Sequence, residues 1–192
     1  MSRFTLTALP LAGLTLVQRH PLGDARGYLE RLYCQDELAG LLAGRPIVQI
    51  NHTLTAKAGT VRGLHFQHPP HAEMKAVTCL RGEVFDVAVD LRQGSPTFLH
   101  WHAERLSAAN HRTLIIPEGF AHGFQTLTGD CELLYLHTAA YHAPAEGALN
   151  ATDPRLGIAW PLPITDRSAR DQNHPLVEES FTGILLQTPP PI

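Results

Sequence analysis

Three side chains in the middle of the sequence can move or hold charge. They are His65 in Gly59-Thr60-Val61-Arg62-Gly63-Leu64-His65-Phe66-Gln67, Lys75 after Pro69-Pro70, and His122 in Ala121-His122-Gly123-Phe124. A neutral imidazole, with a reference pKa near ~6.5, can abstract a proton at neutral pH. An ammonium or a second imidazole beside it can stabilise an oxyanion as it forms. The combination points to acid–base chemistry on a substrate that becomes an anion on the way. Tyr135, in Glu132-Leu133-Leu134-Tyr135, adds a phenol to an apolar run. By itself it reads as a core residue satisfying one hydrogen bond.

Two metal-like patterns compete with that reading. His65, His71, Glu73 and His122 could in principle converge as a set of His and carboxylate ligands. The first segment has no close His pair, however, and Lys75 would repel a cation. His100, His102 and Glu104 alternate and therefore share one strand face. Leu99, Trp101 and Ala103 make the opposite face apolar, so the trio reads as solvated surface. The three Cys, Cys34, Cys79 and Cys131, match no metal or redox spacing and read as buried free thiols of a cytosolic chain.

The elements that must position these groups are short. Strands are expected over Leu14–Gln18, Tyr28–Cys34, Ile47–Leu54, Met74–Leu80, Glu83–Asp90, Phe98–Leu106, Thr113–Ile116, Phe124–Leu127 and Glu132–Thr138, together with the His65 segment. In Glu83–Asp90, Phe85, Val87 and Val89 alternate with Val84, Asp86, Ala88 and Asp90, the period of a strand. One helix is expected over Asp36–Ala43, with Asp36 as its cap and Gly44 and Pro46 closing it. Gln49 and Asn51 share a polar strand face that either meets water or lines a pocket. Many short strands at regular spacing, separated by turns such as Gly94-Ser95-Pro96 and Pro117-Glu118-Gly119, define an all-β chain. The natural architecture is a double-sheet jelly roll or a related barrel with a few short helices, a class that includes the cupins.

Composition narrows the classes. The 192 residues fit a single jelly-roll domain over 1–192, with residues 184–192 read as a loose tail. A net charge of −3 offers no basic face for nucleic acid. No apolar run reaches the roughly 20 residues of a membrane span. The apolar start, Met1 to Val17, has only Arg3 ahead of it and Pro10 within it, and no small-residue cleavage site follows. The chain therefore reads as cytoplasmic.

Longer motifs carry a resemblance. Arg62-Gly63-Leu64-His65-Phe66-Gln67, Lys75, Gly82 through Arg92, Gly94-Ser95-Pro96-Thr97, Ile116 through Phe124 and Asp153-Pro154 resemble the dTDP-4-dehydrorhamnose 3,5-epimerase family. The likeness runs from about Gly23 to Asp171. It implies a cupin-type double-sheet jelly roll that works as a homodimer, to which the N-terminal part contributes contacts, and needs no metal or other cofactor. The implied substrate is a nucleotide-diphosphate 4-keto-6-deoxyhexose, inverted at C3 and C5 through an enolate. By the same resemblance His65 is the base, Tyr135 the acid on the other face, Lys75 and His122 the holders of the enolate oxygen, and Asp171 the partner of His65. Arg26, reaching in from the partner subunit, and Arg62 match diphosphate contacts. Gln49, Asn51, Glu146 and Arg170 match sugar-nucleotide contacts, and Tyr141 matches the residue stacking on the base.

Several positions depart from the family's pattern. Arg31 stands where a Glu is usual, with Glu30 one residue earlier, and Glu73 replaces a Gln ahead of Lys75. Ile115 and Ala140 stand where aromatics are frequent. These changes bear on which sugar or nucleotide is taken. Three other functions stay open at this level: a single-centre epimerase, a metal-dependent cupin using His65, His71, Glu73 and His122, and a non-catalytic sugar-nucleotide binding module.

Overall fold

The alternating segment Glu83–Asp90 is buried on both of its faces, and this locates it in the middle of the molecule. Val84 and Ala88 join one apolar cluster with Val77, Leu106, Leu114, Ile116 and Leu133. Val87 and Val89 join another with Val61, Leu91, Ala121, Leu149, Leu156, Val177 and Ile184. A strand with two buried faces must have a layer on each side. The computed structural model, which describes residues 2–186, supplies both layers.

In chain order the elements are β1 (Phe4–Ala8), β2 (Thr15–Arg19), β3 (Leu22–Asp24), β4 (Gly27–Leu29), α1 (Gln35–Leu42), β5 (Gln49–Thr55), β6 (Val61–Gln67), β7 (Lys75–Arg81) and β8 (Glu83–Asp90). Then follow β9 (Trp101–Ser107), β10 (Arg112–Ile116), β11 (Phe120–Thr126), β12 (Cys131–His137), β13 (Glu146–Ala148) and the short helix α2 (Ala169–Gln172). A six-stranded sheet runs β1-β2-β10-β7-β12-β5, and a five-stranded sheet runs β13-β6-β11-β8-β9. The pairings within both are antiparallel. Because sequence neighbours are split between the sheets, the chain crosses from one to the other repeatedly, as a jelly roll requires. The first cluster fills the space between the sheets. Each of its fully buried Leu and Ile side chains contributes roughly 1.5–3 kcal/mol.

The outer face of the five-stranded sheet is covered by the C-terminal segment, and α1 covers part of the other sheet. Leu38 of α1 packs in a third cluster with Phe4, Val17, Met74, Ala76, Ile115 and Leu136, Leu41 packs against that cluster, and Leu42 is also buried. The helix stops at Ala43, which adopts a left-handed conformation (φ 47°), followed by Gly44 (φ 76°).

Four expectations need correcting. Asp36 lies inside the first turn, and the cap position is Cys34, which makes no side-chain capping bond. The strand expected over Tyr28–Cys34 ends at Leu29, because Glu30 is drawn to Arg19 and His111, each at 2.8 Å. The His102–Glu104 face shares the side of β9 that carries Leu106, the side facing the other sheet. His102 and Glu104 are half-buried, hydrogen-bonded at 2.9 Å, with Arg112 3.7 Å from Glu104, rather than solvated. Trp101 and Ala103 instead pack beneath the C-terminal segment. Finally, Ile184 is not loose: it is buried and bonds the backbone of Leu91 and Gln93. Residues 187–192 of the expected tail lie outside the described residues. The apolar start also contains an unforeseen strand, β1, which pairs with β2.

Candidate active site

Strict alternation would place Arg62 and His65 on opposite faces of β6, yet both line one cavity. The pairing with β11 shows why. His65 lies opposite His122 and Arg62 opposite Phe124, so β6 spends one more residue than β11 between those pairs. Such a bulge turns the strand and re-aims its side chains. Gly63 sits in it with φ 105°, and a Cβ there would come within 2.6 Å of the His122 carbonyl oxygen. Only glycine fits that approach.

The cavity has a volume of about 350 Å³ and lies between the two sheets. Arg62, His65, His122 and Phe124 enter it from the five-stranded sheet, and Lys75, Tyr135, His137, Asn51 and Thr53 from the other. Ser168, Arg170 and Asp171 close it from the segment around α2. A second recess of about 510 Å³ shares Asn51, His65, Lys75 and His137 and adds Gln49, Gln67, Glu73, Tyr141 and Glu146.

His65 Nε2 lies 3.0 Å from Asp171 Oδ1. The second oxygen of Asp171 accepts from the Gly63 backbone N–H at 3.3 Å, and Ser168 Oγ accepts from the Asp171 N–H at 3.0 Å. Burial raises the carboxyl pKa, but the hydrogen bond and charge of His65 and the Gly63 N–H outweigh it and hold the group at about 2. Asp171 is therefore an anion throughout the neutral range. It fixes the ring of His65, can stabilise an imidazolium there, and leaves Nδ1 as the nitrogen that can accept a proton.

The groups suited to an oxyanion are themselves held. His122 Nε2 lies 2.8 Å from Asp86 Oδ1, a carboxylate that is fully buried in the core. Lys75 Nζ lies 3.1 Å from Glu73 Oε1 and 3.4 Å from the His65 carbonyl oxygen. Glu73 Oε2 lies 2.8 Å from His137 Nδ1. Burial raises the Glu73 pKa, and the His137 bond with the Lys75 charge brings it below the usual carboxylate value. Glu73 thus enters the site as an anion between two bases. Tyr135 packs edge-on to His122, ring centroids 5.9 Å apart. Burial, reinforced by the Asp86 charge, pushes its phenol far above its ordinary pKa, so it stays protonated and keeps a proton to donate.

The polar face of β5 turns inward. Gln49 Nε2 donates to Asn51 Oδ1 (3.3 Å), and Gln49 Oε1 accepts from the Tyr141 N–H (2.9 Å). Tyr141 Oη donates to Glu146 (3.0 Å), which also pairs with Arg170. Gln49, Asn51, Tyr141, Glu146 and Arg170 are thereby one connected polar rim.

Arg26 is elsewhere. It is at the tip of the β3–β4 hairpin, 89% exposed in its side chain, paired with Asp24, and absent from both recesses. The metal-ligand set His65, His71, Glu73 and His122 does not converge: His71 stacks on His142, Glu73 binds Lys75 and His137, and His122 binds Asp86. Sequence reading missed Asp86, His137 and His174. Asp86 and His137 lie on strands that were found, one facing His122 and one two residues from Tyr135. Their inward direction was the available signal. His174, 3.1 Å from Asp171 Oδ1, had none, since it lies in an irregular segment.

A jelly roll whose interior holds a His–Asp pair, a phenol kept protonated and two supported oxyanion groups is a cupin-type pocket arranged for proton transfer. Comparison with known proteins makes the class specific. A family model described as dTDP-4-dehydrorhamnose 3,5-epimerase matches residues 8–179. A dTDP-4-dehydrorhamnose 3,5-epimerase of Salmonella typhimurium is 43% identical over 178 residues, covering 91% of this chain and 95% of that one. A dTDP-4-dehydrorhamnose 3-epimerase of Streptomyces niveus is 37% identical, covering 95% and 88%. The Legionella pneumophila 3,5-epimerase, solved in complex with dTDP-4-keto-L-rhamnose, superposes with a TM-score of 0.89 at 34% identity, covering 96% and 100%. The chain belongs to the dTDP-4-dehydrorhamnose 3,5-epimerase family and is an enzyme of that kind.

Proposed function

We propose that this chain converts dTDP-4-dehydro-6-deoxy-D-glucose to dTDP-4-dehydro-L-rhamnose by inverting C3 and C5. The observation that carries this reading is the pairing of His65 with Asp171 on one sheet's side of a cavity whose opposite sheet presents the protonated Tyr135. The 4-keto group acidifies the hydrogen on each neighbouring carbon. His65 takes that proton, the C–H electron pair moves into a new C=C bond, and the carbonyl π pair settles on O4. Lys75 and His122 hold the resulting oxyanion. Tyr135 then delivers its O–H proton to the opposite face of the carbon, the enolate collapses to the ketone, and the phenolate regains a proton from solvent. Asp171 keeps His65 oriented and stabilises the imidazolium, which gives its proton up to solvent before the second carbon is deprotonated.

The rest of the substrate follows the polar rim. Arg62 lines the cavity and has no ion-pair partner among the described residues, which supports its meeting the diphosphate. Gln49, Asn51, Glu146 and Arg170 bind the sugar-nucleotide, and Tyr141, half exposed at the rim, stacks on the base. Arg26 serves a partner's pocket in a homodimer: it lies far from its own cavity on a projecting hairpin that exposes Leu22, Tyr28 and Leu29. The reaction takes place in the cytoplasm, where the nucleotide sugar is available. A single-centre epimerase is the second reading, favoured by the 37% identical Streptomyces niveus protein, which is named a 3-epimerase. NMR of the product separates the two. Inversion at both centres is expected, and a product changed at one carbon alone would replace the first reading with the second.

A further inference from the structure

His65 Nε2, Asp171 Oδ1 and His174 Nε2 form a nearly equilateral triangle with edges of 3.0, 3.1 and 3.2 Å. Hydrogen bonds cannot satisfy all of it. Each imidazole nitrogen carries at most one proton, and an ionised carboxylate carries none. If both N–H groups point at Asp171, two donors face each other across the nitrogen–nitrogen edge. If one points at the other ring, a lone pair faces the carboxylate. A divalent ion has no such difficulty. Ligands about 2.0–2.1 Å from a metal, at angles between octahedral and tetrahedral, lie roughly 2.9–3.4 Å apart. Among the described residues this is the one group of three that could hold a metal.

We propose that His65, Asp171 and His174 form a site for a divalent first-row transition ion, of which Zn²⁺ is the type, and that its occupancy silences the enzyme. The ion is an inhibitor here, not a cofactor. The surroundings permit it. The second oxygen of Asp171 is tied to the Gly63 N–H, which leaves Oδ1 for the ion. The side chains of Asp171 and His174 are 6% and 9% exposed, so two of the three ligands are already fixed by packing. Nearby cations are neutralised, Lys75 by Glu73 and Arg170 by Glu146. His65 and Asp171 border the cavity, which gives the ion a path in and open positions for water. An imidazole bound to metal through Nε2 keeps its proton on Nδ1, so His65 can no longer accept one from a substrate. That consequence rests on His65 being the base; the binding itself does not.

The test uses the full chain after treatment with EDTA. Co²⁺ titrated without substrate should bind at one ion per chain, show visible d–d absorption, and be displaced by Zn²⁺. His174→Ala should weaken binding on the order of 10-fold or more, since even the loss of a supporting partner costs that much. Asp171→Asn provides a second variant should His174→Ala fold poorly. Zn²⁺ should suppress turnover of the unmodified enzyme, with recovery on chelation. Absence of the d–d spectrum, or Co²⁺ affinity unchanged in the folded variants, would overturn the site. Binding without loss of turnover would overturn the inhibition and leave the site. Because binding is read without substrate, failure here is separate from failure of the epimerase reading.

Discussion

Arg62 and His65 face the same cavity because one additional residue of β6 is accommodated between their partners on β11. The bulge depends on Gly63. Gly63→Ala would bring a Cβ to 2.6 Å from the His122 carbonyl at φ 105°. The backbone must shift, moving His65 and His122 together. A loss of roughly 2–4 kcal/mol in stability is expected, with turnover falling further than the folded fraction does. Chemical denaturation combined with steady-state kinetics checks it; unaltered turnover would separate the bulge from the chemistry.

Asp171 has a pKa of about 2, so above pH 5 its ionisation does not vary. Any acidic limb of activity in that range must belong to another group. Asp171→Asn should reduce turnover by on the order of 10²- to 10⁴-fold with the near-ultraviolet circular dichroism retained. A variant within tenfold of the parent would remove Asp171 from the mechanism.

Glu73 stands 3.1 Å from Lys75 and 2.8 Å from His137. Glu73→Gln would leave the two basic groups without their anion and should cost about 1–3 kcal/mol in stability at pH 7. It also releases the Lys75 charge towards the cavity. Turnover at saturating substrate should therefore hold or rise, and a tenfold fall would mean that Glu73 itself handles protons.

Asp90 tests the scaffold. Its fully buried carboxylate accepts from Arg92 (2.8 and 2.7 Å), Ser95 (2.6 Å) and Thr97 (2.7 Å). Burial raises its pKa, and these bonds together lower it to about 2. The folded value lies below the unfolded one near ~3.9. The stability this group adds is complete above that value and disappears as pH falls through about 2. Asp90→Asn should cost about 2–4 kcal/mol at pH 7 and flatten the dependence of stability on pH between roughly 4 and 2. Urea midpoints across that window measure both.

Much of this was legible before the structure. Alternation in Glu83–Asp90 gave a strand with its ends in place, and the turn spacing gave the jelly roll. Periodicity failed where a tertiary partner decides the outcome. Glu30 leaves the strand because Arg19 and His111 capture it, and β1 is a strand because β2 lies beside it. The inward direction of Gln49 and Asn51 was open on alternation alone, since a polar face suits water and a pocket equally. His65, Lys75 and His122 were visible as chemistry, whereas Tyr135 by itself read as core, and its role, that of Asp171 and the grouping of the binding residues came from family resemblance. Asp86 and His137 carried no signal beyond their inward direction on strands already found, and His174 carried none, since a supporting residue is recognised by what it touches.

The central claim is that protons at two carbons of the sugar pass through this cavity. The direct measurement is conversion of dTDP-4-dehydro-6-deoxy-D-glucose in deuterated water, with the product read by NMR. Deuterium at both C3 and C5 is predicted, with incorporation at both lost in His65→Ala. Deuterium at neither carbon of an inverted product would contradict the account.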